Sequence, residues 1–216
     1  MVRNIKAVIF DFDGTLAPTN KYHIISFIEA AKQQGIGLTE NDFKGLFGQP
    51  TPEILDAFEK KYHCIINRKK LIQTRVKIYK RLIKENNVHL RPDAIATIIQ
   101  LHKKGLKLGI ATGSTAALMN IILGDYAKYF DAIVTADTPT EPKPHPDILL
   151  TAAKKLQVSP AHCIFIGDSA KDVETAKNAH MFVIGYSNAY FTSKEIIRTR
   201  PDAFIKNLTE ILHYVR

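Results

Sequence analysis

Five short apolar runs, separated by segments long enough for a helix, constrain the fold of this chain most strongly. They cover residues 6–10, 106–111, 132–134, 163–166 and 182–184. The first contains Ala7-Val8-Ile9-Phe10, which is apolar without alternation and therefore typical of a strand buried on both faces. Strands that alternate with helices predict an α/β fold with a parallel sheet covered on both faces.

The segments between the later runs carry helix signals. Helices are predicted over residues 92–104, 115–123, 146–156 and 169–178. Gly105 follows the first of them as a C-terminal stop, and Ser169 opens the last as an N-cap. Each predicted helix can therefore cross from one parallel strand to the next.

The stretch from Pro18 to His89 breaks this alternation and contains helix signals only. Helices are predicted over residues 22–34, from Thr39-Glu40-Asn41-Asp42, from Thr51-Pro52-Glu53, and after an Asn67 cap. The apolar stripe of the last helix is predicted to be Ile72, Val76, Tyr79 and Ile83. We therefore expect a core of residues 1–17 and 90–216, interrupted by a helical insert of residues 18–89.

Composition excludes several classes of protein. The chain has 216 residues, of which 45% are hydrophobic and 24% charged, as in ordinary globular proteins. No run approaches the roughly 18 apolar residues of a membrane span, and the first apolar run is too short for a signal peptide. Cys64 and Cys163 are the two cysteines, which argues against a disulfide scaffold. We expect a cytoplasmic protein with no membrane partner.

The charge balance favours anionic partners. Thirty Lys and Arg against 21 Asp and Glu give a net charge of +9. Eight of the basic residues lie between Arg68 and Lys84 with no acid among them. We predict that this basic run lies on the polar face of the fourth helix of the insert and is exposed to solvent. Only Tyr79 interrupts it as an aromatic residue, so nucleic acid is not the expected partner.

Polar residues follow the predicted strands. Ligands bind beyond the carboxyl ends of parallel strands, so these residues are expected to converge. Several carboxylates in one place repel one another unless a cation is present, and an oxygen-only donor set suits Mg²⁺. Acids, a hydroxyl, a lysine and Mg²⁺ together suit phosphoryl transfer. The residues are Asp11 and Asp13 after the first strand, Thr112-Gly113-Ser114 after the second, Lys143 after the third, and Asp168, Ser169 and Asp172 after the fourth.

Four segments together resemble the motifs of the haloacid dehalogenase superfamily. They are Asp11-Phe12-Asp13-Gly14-Thr15-Leu16, Thr112, Lys143, and Gly167-Asp168-Ser169-Ala170-Lys171-Asp172. Their order and spacing match over nearly the whole chain. The helical insert resembles the cap of the phosphoglycolate phosphatase and β-phosphoglucomutase branch. The resemblance implies a Rossmann-like α/β core with an inserted all-helical cap domain. Asp13 argues against dehalogenation, because true haloacid dehalogenases lack this second aspartate.

The resemblance also implies roles. Asp11 is expected to be the nucleophile that forms an aspartyl-phosphate, and Asp13 the general acid and base. Thr112 and Lys143 are expected to complete the catalytic set. Phosphate binding is assigned to Thr112, Gly113, Ser114, Lys143 and Gln49. Metal binding is assigned to Asp11, to Asp13 through its main-chain carbonyl, to Asp168 and to Asp172. Asp172 is expected either to ligate the metal or to orient a water bound to it.

The function expected from these residues is a Mg²⁺-dependent phosphatase acting on a small phosphorylated metabolite. One alternative is a phosphosugar mutase. Mutases of this branch carry an Arg in a Gly-x-Ser-Arg stretch of the cap, whereas Gly48-Gln49-Pro50-Thr51-Pro52 here has none. A second alternative is a non-catalytic basic binding module. His145 is interpreted as a loop residue and Cys163 as a core residue. The substrate and the oligomeric state stay open.

Overall fold

The computed structural model describes residues 4–43, 45–46, 49–187 and 193–215. The chain divides into two compact units. One, the sheet unit, consists of Met1–Pro18 and His89–Arg216; the other, the helical unit, is Thr19–Val88. The expectation that residues 1–17 and 90–216 form a catalytic core and residues 18–89 a cap domain stays a prediction.

A parallel sheet forms the centre of the sheet unit, with six strands in the part of the chain that is described. Its spatial order is β3-β2-β1-β4-β5-β6, and every pairing is parallel. β1 lies in the middle, pairing Ile9 with Gly109 on one side and with Phe165 on the other. The strands are β1 Ala7–Phe10, β2 Lys107–Ala111, β3 Ala132–Val134, β4 Cys163–Gly167, β5 Phe182–Tyr186 and β6 Ala203–Ile205.

Helices of the sheet unit connect these strands, and the predicted α/β class is confirmed. Leu149, Ala152, Val173 and Ala176 from two of the helices belong to one buried cluster with strand residues such as Phe165. Four short 3₁₀ segments occur in the described residues, three of them in this unit. The helices, numbered in chain order after three in the helical unit, are α4 Pro92–Lys103, α5 Ala116–Leu123, α6 Asp147–Leu156, α7 Ala170–Asn178 and α8 Ser193–Arg198.

The helical unit contains only helical elements among its described residues. They are α1 Asn20–Lys32, a 3₁₀ turn Glu40–Phe43, α2 Thr51–Tyr62 and α3 Arg68–Glu85. Asn67 caps α3 as predicted, since its side chain accepts the Lys70 N–H at 3.0 Å. Phe27, Phe43 and Phe58 pack edge to face and tilted, with ring centroids 5.2–6.3 Å apart. This aromatic cluster gives the unit a core of its own.

The predicted stripe of α3 is confirmed at Tyr79 and Ile83, which are buried, and was wrong at Ile72. Ile72 is 39% exposed, whereas Leu71 before it is fully buried. The sequence offers both residues, and packing against α1 selects the face that starts at Leu71. Arg75 lies on that face, four residues on, and is half-buried. Its guanidinium stands 4.0 Å from the Phe27 ring centre, so Arg75 is not part of the predicted solvated basic face.

No helix in the described ranges combines the length and the apolar character that a bilayer crossing requires.

Candidate active site

Three predicted site residues follow adjacent strands at the carboxyl edge of the sheet. Asp11 follows β1, Thr112 follows β2 and Asp168 follows β4, and β1 lies between the other two. The sheet hydrogen bonding continues one residue past the strands. The Asp11 N–H donates to the Ile166 carbonyl at 2.8 Å, and the Thr112 N–H to the Val134 carbonyl at 3.0 Å. The strand ends are thus held where the side chains emerge.

Lys143 joins two of the acids. Its ammonium donates to Asp11 Oδ1 at 2.8 Å, to Asp172 Oδ1 at 2.7 Å and to the Ala111 carbonyl at 3.2 Å. The three contacts match the three donors of a lysine. The side chains of Lys143, Asp11 and Asp172 are all less than a tenth exposed. The buried ammonium group of Lys143, which belongs to the segment between β3 and α6, therefore lies at the carboxyl end of β1.

The position of Asp172 follows from the start of α7. Its Oδ2 accepts the Ser169 N–H at 3.0 Å and the Ser169 hydroxyl at 2.5 Å, while its own N–H donates to Ser169 Oγ at 3.2 Å. This is a reciprocal capping box. A Cβ at Gly167 would lie 2.4 Å from the Asp172 Cβ, so only glycine fits at the end of β4. The other carboxylate oxygen of Asp172, Oδ1, accepts the hydrogen bond from Lys143.

Three acids of the site lie close together. Asp11, Asp168 and Asp172 are buried, and each offers a carboxylate oxygen within 4.8 Å of the others. Lys143 is bonded to two of them, Asp11 and Asp172. Buried carboxylates at this separation repel one another, which favours the binding of a positive ion. An oxygen-only donor set of this kind fits a hard divalent cation such as Mg²⁺.

The pKa values of Asp11 and Lys143 reflect the same close grouping of charges. Burial raises the pKa of Asp11 above its ordinary value; Lys143 opposes the shift, and Asp172 and Asp168 add to it. For Lys143, burial would lower the pKa, but Asp11 and Asp172 outweigh it and the pKa lies above its usual range. Lys143 is therefore charged at neutral pH, and a further cation would favour the ionised form of Asp11.

Asp13 makes different contacts from the other acids. Its Oδ2 accepts the Ser114 hydroxyl at 2.5 Å, and the Thr112 hydroxyl lies 3.4 Å from the same oxygen. The structure thus places Asp13 beside the residues that follow β2. Its predicted metal contact runs through the main-chain carbonyl and stays a prediction.

The remaining predicted binding residues, Gly113 and Gln49, belong to different units. Gly113 is exposed, and a Cβ added there would meet no described atom within 4 Å. Gln49 is half-buried in the helical unit, where its N–H donates to the Leu46 carbonyl at 3.1 Å. Gly48, in the stretch compared with mutases, lies outside the described residues. The binding roles of Gly113 and Gln49 stay predictions.

One contact was missed by sequence reasoning. The Thr15 hydroxyl is buried and donates to Asp168 Oδ1 at 3.3 Å, across 153 residues of chain. Thr15 belongs to the first motif, so its place in Asp-x-Asp-Gly-Thr was the available signal.

Cys163 lies buried in β4, where burial raises the pKa of its thiol to about 11, and it is a core residue as predicted. His145 is exposed, with Nδ1 3.2 Å from Asp147 Oδ1.

Comparison with known proteins gives one matching family model and several similar proteins. A family model described as haloacid dehalogenase-like hydrolase matches residues 8–186. A Clostridium perfringens protein, provisionally named pyrophosphatase PpaX, is 29% identical over 98% of this chain and 97% of its own length. The β-phosphoglucomutase of Bacillus subtilis is 33% identical over 84% of this chain and 83% of its own length. The structure of CbbY from Rhodobacter sphaeroides in complex with phosphate has a TM-score of 0.83 at 25% identity, covering 96% of each chain.

Proposed function

This chain belongs to the haloacid dehalogenase-like hydrolase family, and on that premise we propose that it is a Mg²⁺-dependent phosphatase. Its substrate would be a small phosphorylated metabolite, hydrolysed through an aspartyl-phosphate on Asp11. The sheet unit would carry the chemistry and the helical unit would be its cap domain. The observation that supports this most is the buried contact of Lys143 with both Asp11 and Asp172.

Asp11 is the proposed nucleophile. A carboxylate oxygen of Asp11 attacks phosphorus, and the bond from phosphorus to the leaving oxygen breaks. Lys143 offsets negative charge on Asp11 and on the incoming phosphoryl group. The Thr112 hydroxyl and the Gly113 N–H hold the phosphoryl oxygens. Thr112 is already held by the sheet, and Lys143 by its contacts with Asp11 and Asp172, so these groups favour the transition state.

Asp13 is the proposed general acid and base. It gives a proton to the leaving oxygen in the first step and takes one from water in the second. Water then forms the new bond to phosphorus, and the Asp11 carboxylate is released with inorganic phosphate. Asp11, Asp168, Asp172 and the Asp13 carbonyl would hold Mg²⁺. When bound, the ion supplies the positive charge that the buried acids lack.

A screen of phosphorylated compounds tests this function. Phosphoglycolate, inorganic pyrophosphate, sugar phosphates and p-nitrophenyl phosphate are supplied with Mg²⁺, and released phosphate is measured. We expect release from at least one small ester by the wild-type chain and none by Asp11→Asn. Release that is equal in the two proteins would refute the proposed role of Asp11.

A phosphosugar mutase is the second candidate, because the Bacillus subtilis relative bears that name. A mutase must hold a second phosphate, for which a bidentate Arg is the usual partner. Pro50 and Thr51 stand at the start of α2 in the stretch where the mutases of this branch carry that Arg. Gln49 and Thr51 can donate hydrogen bonds but supply no charge. We therefore expect phosphate release to exceed isomerisation.

A coupled assay separates these two functions. β-Glucose 1-phosphate is supplied with catalytic glucose 1,6-bisphosphate, and a dehydrogenase reports glucose 6-phosphate while free phosphate is followed in parallel. Fast formation of glucose 6-phosphate with little free phosphate would make the mutase the correct function. The non-catalytic alternative predicts neither product, together with salt-sensitive binding of RNA or DNA.

A further inference from the structure

Two hydroxyls contact the same oxygen of the Asp13 carboxylate, and that of Ser114 is the closer. The Ser114 hydroxyl is 2.5 Å from Asp13 Oδ2, whereas Thr112 Oγ1 is 3.4 Å from the same atom. Ser114 and Asp13 are 101 residues apart in the chain and both belong to the sheet unit. A short hydrogen bond from a hydroxyl to a carboxylate is among the stronger ones in proteins.

The backbone of Ser114 is fixed on both sides. Its N–H donates to Thr112 Oγ1 at 3.1 Å, which closes a local turn after β2. Its carbonyl accepts the Ala136 N–H at 3.0 Å, from the segment after β3. Thr112 is itself held in the sheet by the Val134 carbonyl. The Ser114 hydroxyl therefore lies on a short, hydrogen-bonded turn anchored to two strand ends.

We propose that Ser114 is a positioning residue for Asp13, acting through the Asp13 carboxyl group and not through the phosphate. This inference rests on the proposed function. A hydroxyl that donates to Oδ2 restricts rotation of the carboxyl group and so fixes the direction in which that group exchanges a proton. The Asp13 carboxyl group gives the proton to the leaving oxygen as the ester bond breaks, and it takes a proton from water as phosphate is released. Orientation of this kind matters when the leaving group needs a proton.

The dependence on the leaving group distinguishes this role from phosphate binding. The leaving oxygen of p-nitrophenyl phosphate is a stable anion and needs little protonation, whereas that of phenyl phosphate or an alkyl phosphate needs much more. A residue that orients the general acid affects mainly the poor leaving groups. A residue that binds phosphate affects all esters alike, because the phosphoryl group is common to them.

The experiment compares kcat/KM of wild type and Ser114→Ala with Mg²⁺ over a series from p-nitrophenyl to phenyl to alkyl phosphates. We expect Ser114→Ala to lose about tenfold or more on the poor leaving groups, since a general acid contributes about 10²–10⁴-fold. On p-nitrophenyl phosphate the loss should stay within about threefold. Ser114→Thr, which keeps the hydroxyl, should restore most of the activity.

Thr115→Ala is the matched control, because Thr115 is the next residue and its side chain makes no capping bond to α5. It should show the wild-type dependence on the leaving group. A loss in Ser114→Ala that is equal across the series, or no loss at all, overturns the positioning role. Absence of phosphate release by the wild type from every ester overturns the proposed function itself, and the inference with it.

Discussion

Two buried aspartates, one in each unit, bind a lysine but differ in their other contacts. Asp11 shares Lys143 with Asp172 and has Asp168 nearby. Asp42 of the helical unit is bonded to Lys61 and has no such carboxylate neighbour among the described contacts. It also accepts the Thr39 N–H at 2.6 Å, and the Thr39 and Tyr62 hydroxyls at 2.8 Å each.

The pKa values of the two aspartates move in opposite directions. Burial raises the pKa of Asp11, and the one nearby lysine does not reverse the shift. Burial also acts to raise the pKa of Asp42, but the hydrogen bonds from Lys61, Thr39 and Tyr62 outweigh it and hold the pKa below its usual range. The hydrogen bonds of the fold stabilise the charge of Asp42, whereas Asp11 lies in a cluster of acids that could hold a metal ion. On the proposed function, this difference separates a structural acid from a reactive one.

The largest effect expected from this comparison is that of Asp11→Asn on turnover. The amide lacks the anionic oxygen, so phosphate release should fall at least about 10⁴-fold. At neutral pH the raised pKa means that ionised Asp11 destabilises the metal-free fold. The metal-free variant should therefore melt at the same temperature as wild type or higher. A lower melting temperature by calorimetry would assign Asp11 a structural role like that of Asp42.

Removal of the metal should be the next largest effect. EDTA followed by desalting should lower turnover on the order of 10³-fold, because charge stabilisation by a catalytic metal is worth several kcal/mol. Mg²⁺ should restore activity, and Ca²⁺ should inhibit because its larger and looser coordination shell misplaces the nucleophile. Full activity with metal content verified as absent would contradict the proposed metal site in this cluster.

The same substitution in the helical unit, Asp42→Asn, should lower stability and leave catalysis unchanged. Hydrogen bonds to a charged group are worth about 1.5–3 kcal/mol, so the free energy of unfolding should fall by roughly that amount in urea titrations. Turnover per folded molecule should stay within about twofold of wild type. Asp56→Asn, which removes an exposed partner of Arg68, is the control and should cost much less. Equal losses in both variants would contradict the structural role of Asp42.

The smallest effect is the pH dependence of that stabilisation. An aspartate whose folded pKa is depressed stabilises the fold above its unfolded pKa of about 3.9. The stabilisation by Asp42 is lost as the pH falls below the unfolded pKa and through the folded pKa. The difference in unfolding free energy between wild type and Asp42→Asn should therefore be full at about pH 6 and smaller at about pH 3. A difference that grows on acidification would contradict the depressed pKa of Asp42.

The sheet was predictable from the sequence because strands buried on both faces appear as apolar runs. β6 was missed because Ala203-Phe204-Ile205 is short and only Ile205 is buried. Its pairing with Tyr186 and Gly185 of β5 defines it as a strand, and no local pattern carries that information. The first residue of the α3 stripe was wrong for a related reason, since packing against α1 decides between Leu71 and Ile72.

The positions of the site residues were predictable, but several of their contacts were not. Strand ends indicate where Asp11, Thr112 and Asp168 lie, because parallel strands share an edge. The short bond from Ser114 to Asp13 joins segments 101 residues apart and depends on side-chain geometry that the motifs do not encode. The sequence likewise shows Gly167 without showing that Asp172 occupies the space of its missing side chain.

The stereochemical course at phosphorus tests the central role of Asp11 most directly. p-Nitrophenyl phosphorothioate, made chiral with one oxygen isotope, is hydrolysed by the Mg²⁺-loaded wild-type protein in water of another isotope. Attack by Asp11 followed by attack of water makes two in-line displacements, so the configuration of the thiophosphate should be retained. Inversion would mean a single direct attack by water and would contradict the aspartyl-phosphate.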